Sequence, residues 1–129
     1  MSVSSAWYES PDVTRLVHLW LGMDELGEIM CTCEGDGDVG LAVVKPYVSY
    51  DMPELLGHVV VDQRVPEPLG DVIGNRILAV TSISDGTAGM VVGFTLDSAN
   101  TSVAIVNLGD DLTVGTWPNP NWTAMGISS

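Results

Sequence analysis

Apolar residues along this chain fall in short runs. Gly, Asp, Asn and Pro interrupt them before a helical period is completed. No window of a dozen residues keeps an unbroken i, i+3, i+4, i+7 pattern, whereas runs of five to nine β-branched and aliphatic residues recur. The pattern predicts strands near residues 14–21, 27–33, 39–45, 58–65, 76–84, 90–97, 102–108 and 112–117. Turn chemistry separates them: Gly22-Met23-Asp24, Glu34-Gly35-Asp36-Gly37-Asp38, Asp85-Gly86 and Asp97-Ser98-Ala99-Asn100. Gly, Asn and Asp supply the positive-φ positions that tight turns need. Pro53, Pro66 and Pro68 bracket the fourth run. Each lacks a ladder donor, which predicts a less regular segment crossing between two halves.

Alternation assigns faces. In the fourth run Val59, Val61 and Val65 share one side, and His58, Asp62 and Arg64 the other. In the sixth, Met90, Val92, Phe94 and Leu96 alternate with Gly93, Thr95 and Asp97. Such strands have one face on a core and one in water. A shift of sixty-two residues places Gly27 on Gly89, Ala42 on Ala104 and Val44 on Val106, and both halves then read as three-strand meanders. The expected fold is all-β: an antiparallel β-sandwich or partly open barrel of about eight short strands. It forms one domain over residues 1–129, with an N-terminal extension (1–12) and a Pro/Asn/Trp tail (117–129).

Composition agrees with one domain: 129 residues, 46% hydrophobic and only 16% charged, too apolar for disorder. The charge is the stronger signal. Four Lys+Arg stand against seventeen Asp+Glu, for a formal net charge of -13. Such acidity repels nucleic-acid phosphates and anionic lipid, so neither nucleic acid nor a membrane is an expected partner. The N-terminus shows no basic region followed by an apolar one, and Cys31 and Cys33 are too close for a relaxed disulfide. A reducing cytoplasm is the expected location.

Candidate chemistry is incomplete everywhere. Glu34, Asp36 and Asp38 resemble the start of a calcium loop, but Val39 and Lys45 stand where the EF-hand needs Gly and Glu. Cys31 and Cys33 could join His18 or His58 around a metal, yet they point to the same side as Ile29, as core residues would. The two histidines lack a Gly-x-Ser-x-Gly nucleophile elbow, and His58 and Asp62 are four residues apart along one strand face. No phosphate-binding loop is present. The expectation is therefore no catalysis, no metal and no cofactor.

Binding is what remains. Two turns concentrate the charge, Glu34/Asp36/Asp38 and Asp110/Asp111. Trp117 and Trp122 lie in the proline-rich tail 117–122, where they either cover an open end of the core or anchor a partner. These seven residues are the expected contact set for a basic protein. In its size, acidity and strand-rich pattern ending in Asn107-Leu108-Gly109-Asp110-Asp111-Leu112-Thr113-Val114-Gly115, the chain resembles the immunity proteins of bacterial polymorphic toxin systems. That resemblance implies an inhibitor that neutralises a toxin effector. A small-molecule-binding β-barrel and a non-catalytic assembly domain are the alternatives. The sequence leaves the oligomeric state open.

Overall fold

In the computed structural model, residues 1–24, 26–34, 37–52, 57–86, 89–109 and 111–128 are described. They form, in chain order, β1 (Ser2–Glu9), β2 (Thr14–Met23), β3 (Gly27–Cys33), β4 (Val39–Val43), β5 (Tyr50–Met52), β6 (Gly57–Asp62), a 3-10 turn (Leu69–Asp71), β7 (Ala79–Asp85), β8 (Met90–Asp97), β9 (Ser102–Leu108), β10 (Asp111–Thr116), α1 (Pro120–Ala124) and β11 (Ile127–Ser128). The eight expected strands all exist. Three have the expected bounds (27–33, 90–97 and 102–108), and the rest differ by at most three residues at either end.

Two antiparallel sheets result, one of them a half-barrel. The first has the order β4-β3-β2-β1-β6-β5 and the second β10-β9-β8-β7-β11. The all-β expectation thus holds. Each half contains a three-strand meander, β2-β3-β4 and β7-β8-β9. Their registers are not superposable: Leu19 faces Cys31, but Thr81, sixty-two residues on, faces Thr95 rather than Gly93. The proline-bracketed segment 63–78 crosses from the first sheet to the second, and it places Leu69 and Val72 in the core between them.

Residues 1–12 are not an extension. β1 lies inside the first sheet, hydrogen-bonded to β2 on one side and β6 on the other. Its serines hide the pattern. Ser5 is fully buried, donates to the Arg64 carbonyl at 2.5 Å and accepts from the Trp7 indole at 2.8 Å. Hydrogen bonding lets a polar side chain occupy an inward position that hydropathy assigns to water.

The core between the sheets holds Val3, Leu19, Leu21 and Cys31 from the first, and Phe94, Leu96, Val103, Ile105 and Leu112 from the second. Neither outer face is simply wet. On the first sheet Ala6, Trp20 and Val59 pack with Tyr47 and Met52, so the segment between β4 and β6 folds back over that face. On the second, Ile83, Val92, Ala104 and Val106 are covered by Trp122 of α1 and Ile127 of β11. The expected sharing of one face by Val92, Phe94 and Leu96 therefore fails. The β7–β8 register shifts between Ile83 and Ser84, which leaves Val92 as the extra residue of a β-bulge and turns it outward.

A second register shift, between Ala6 and Trp7, steps β2 by one residue so that Leu16 joins Leu19 and Leu21 on the inner side. It brings Leu16 opposite Trp7 and Arg15 opposite Tyr8.

Candidate functional site

The hairpin turns that follow β1, β3, β7 and β9 lie at one end of the sandwich. Three contacts establish this. Buried Asn107, near the end of β9, donates its side-chain amide to the Asp38 carbonyl at 2.9 Å and to that of Glu34 at 3.5 Å. A Cβ on Gly37 would lie 3.3 Å from Met90 Cε at the start of β8. Arg15, at the start of β2, sits 3.6 Å from the Asp111 carboxylate at the start of β10.

The two acidic turns are therefore neighbours in space, although more than seventy residues separate them. Each is locally well built. The Glu34 amide donates to Asp38 O at 2.8 Å, and Gly37 N donates to Glu34 O at 3.1 Å. Gly109 turns the β9–β10 hairpin at a φ of +58°, a conformation that L side chains rarely adopt. With Asp12 in the β1–β2 turn and Asp85 at the end of β7, this end carries Asp12, Glu34, Asp38, Asp85 and Asp111. Arg15 lies among them, and Arg64 reaches Glu9 at the same end of β1 at 3.3 Å. Asp36 and Asp110 belong to the same turns in sequence and lie outside the described residues.

Beside Asp111 a cleft of about 340 Å³ opens between β1–β2 and β10. Trp7, Leu16, Pro66, Leu112 and Val114 give it apolar walls, and Arg15, Glu67 and Asp111 its charged rim. Arg64 stacks over the Trp7 ring at 5.0 Å, a cation–π contact that holds the indole in place.

The expected contact set is partly reassigned. Glu34 and Asp111 are exposed, and Asp38 is half-buried. Trp122 is 7% exposed and belongs to the cover of the second sheet. Trp117 packs against the same cluster. The tail rings thus cover apolar core, and neither is an exposed anchor. Asp111 does have a basic neighbour, Arg15, which is remote in sequence. Trp7 and Arg15 are the residues that sequence reasoning missed. A strand reading of residues 2–9 would have found the first; the second needs the fold.

The remaining candidates make the following contacts. Cys31 is fully buried, and burial pushes its thiol up to about 12. Cys33 is half-buried against the same core. Burial lowers the pKa of His18, whose Nδ1 lies 2.7 Å from Tyr47 Oη. Burial first, and Tyr50 second, pushes the Tyr47 phenol up to about 12, so a neutral ring meets a protonated hydroxyl. His18, Trp20 and Tyr47 pack edge to face, with centroids 5.1 to 6.0 Å apart. His58 Nε2 pairs with Glu9 at 3.3 Å, while Asp62 approaches Arg64 instead.

No helix among the described residues is long and apolar enough to cross a membrane. Comparison with protein families, curated proteins and solved structures finds no match to the chain.

Proposed function

We propose that this protein acts by binding a basic protein partner on its acidic turn end, as an inhibitor of the immunity-protein kind acting in the cytoplasm. The observation that carries the reading is the convergence of the 34–38 and 109–111 turns, joined through Asn107, on an end where carboxylates outnumber the cations Arg15 and Arg64. Four Lys+Arg cannot neutralise seventeen acids one to one, so the chain carries negative charge that repels itself. A cationic surface relieves that repulsion, and long-range attraction speeds encounter. The cleft beside Asp111 adds an apolar seat for a side chain of the partner, with Trp7 as its aromatic wall.

The same cleft favours a second reading, a small-molecule site. Its volume of about 340 Å³ falls at the low end of ligand pockets, and its walls are apolar with a charged rim.

The test is association with the protein encoded by the neighbouring gene, followed at low and high salt. Binding should slow steeply as ionic strength rises, and Glu34→Gln with Asp111→Asn should slow it further. Binding indifferent to both salt and these substitutions removes charge as the mechanism. Absence of a protein partner, together with a small molecule retained by the purified protein and lost on Trp7→Ala, favours the second reading.

A further inference from the structure

Four strands end the two sheets: β4 and β5 in the first, β10 and β11 in the second. Unpaired edges invite pairing with another chain, and proteins blunt them with charge, proline, brevity or cover. β5 has three residues, one of them Asp51, and β11 has two. β10 begins at Asp111 and packs across β2 of the other sheet. β4 touches β8 of the other sheet and its Val39 reaches the core, but it has no charge, proline or brevity to blunt its edge. It reads Val39-Gly40-Leu41-Ala42-Val43, five residues without charge or proline.

At this edge the backbone points away from the sheet, and Leu41 and Val43, on the same face as Cys31 and Ile29, stay open to solvent. Leu41 is 56% exposed and Val43 72% exposed, and Val44, just beyond, is 47% exposed. The Val44 amide donates to the Glu28 carbonyl at 3.2 Å, which sets the phase of the β3–β4 ladder. Residues 40, 42 and 44 turn their backbone groups to β3, so Val39, Leu41 and Val43 turn theirs away from the sheet.

We propose that β4 is a pairing edge for a second copy of this chain, antiparallel β4 on β4, joining two six-stranded sheets into one. The strand is complementary to itself in that arrangement. With Leu41 opposite Leu41 of the second copy, Val39 falls opposite Val43, and the six aliphatic side chains form one stripe on one face. The same register sets Lys45, the sole lysine of the chain, beside Gly37 and Asp38 of the second copy at both ends of the contact. Apolar surface meets apolar surface, and the one lysine meets the acidic turn. The opposing force is the charge of -13 on each copy, so salt strengthens this association. That dependence is opposite in sign to the one expected for a basic partner, and the two proposals stand or fall separately.

The test is sedimentation velocity on the full chain, from low micromolar to millimolar protein, at low and high salt. A monomer–dimer equilibrium is expected, shifting toward twice the 13.7 kDa mass as protein and salt rise. Leu41→Lys should weaken it at least about tenfold, although it lowers the net negative charge, because apolar contact is lost and two like charges face each other. Lys45→Glu should also weaken it. Hydrogen exchange in the wild-type dimer should slow the amides of Val39, Leu41 and Val43 and leave those of β5 unchanged. A protein that stays monomeric at every concentration and salt overturns the proposal. So does a dimer indifferent to both substitutions, or one that protects other amides.

Discussion

Replacing Trp122 with alanine should strip the cover from the outer face of the second sheet. The ring is 7% exposed and packs with Ile83, Val92, Ala104, Val106 and Ile127. Asn119 holds it there: its Oδ1 accepts from Asn121 N at 3.1 Å and from Trp122 N at 3.4 Å, capping α1. Truncating a buried Trp costs about 3–5 kcal/mol. Here water can reach the vacated face, so the low end applies, about 3 kcal/mol. That is a large share of the ~5–15 kcal/mol by which single domains are stable. Gly115 supplies the control. A Cβ at that position would lie 2.6 Å from Trp122 Cη2 and 3.0 Å from Cζ2. Gly115→Ala must therefore push the ring off the sheet, costing about 1–3 kcal/mol. Once Trp122 is alanine only Asn119 Nδ2, 3.3 Å away, still crowds the position, and the same change becomes close to neutral, since Ala loses less backbone entropy than Gly. Urea unfolding of the wild type, both single variants and the double variant reads the difference as a coupling of about 1–3 kcal/mol. A loss below about 1 kcal/mol for Trp122→Ala, or simple additivity of the two changes, refutes the assignment of this ring to the core.

Burial lowers the pKa of His18 from its ordinary 6.5, so the fold favours the neutral ring. Its contribution to stability is present above pH 6.5 and is lost as pH falls toward the depressed folded value. Urea midpoints should therefore fall more between pH 7.5 and 5.5 in the wild type than in His18→Gln. Cys33 should react with a thiol reagent at pH 8 in the native protein, whereas Cys31, with its thiol pushed up to about 12, should wait for unfolding. Both reacting at the unfolded rate would contradict the burial of Cys31. Asp111→Asn breaks an exposed pair whose side chains are 57% and 58% accessible, so thermal stability should change by less than about 1 kcal/mol. A larger loss would mean that the pair holds β2 and β10 together.

The strands were legible where one rule sufficed. Residues 27–33, 90–97 and 102–108 are β-rich runs closed by turn residues, and they appear with those bounds. Three features were not legible, each for a physical reason. β1 hides its inward positions behind Ser5, which is satisfied by hydrogen bonds rather than by being apolar. The bulge at Val92 breaks strict alternation, so a period-two reading assigns that side chain to the wrong face. Pro118 and Pro120 suggest an extended tail whose rings either cover the core or anchor a partner. Pro120 instead occupies the first turn of α1, where its missing N–H costs nothing, and Asn119 caps the helix. Of the candidate site, the acidity of the two turns was visible in sequence. Their adjacency was not, because it depends on a long-range bond from Asn107.

Coverage of both broad faces bears on where a partner could dock. Trp20, Tyr47 and Met52 occupy the outside of the first sheet, and Trp122 and Ile127 that of the second. Among the described residues, the turn end, the cleft beside Asp111 and the β4 edge are three surfaces that remain open. These differ in what they can recognise. The turn end offers charge beside the Glu34 and Asp38 carbonyls that Asn107 holds. The β4 edge offers unpaired backbone and aliphatic side chains, which select for a strand rather than for charge. Asp38 lies between the two, at the turn and one residue before β4. A partner that covers Asp38 from the turn end would crowd the proposed second copy of β4 at the same place. Pairing through β4 and capture of a basic protein would then oppose each other, and their opposite responses to salt decide which one prevails.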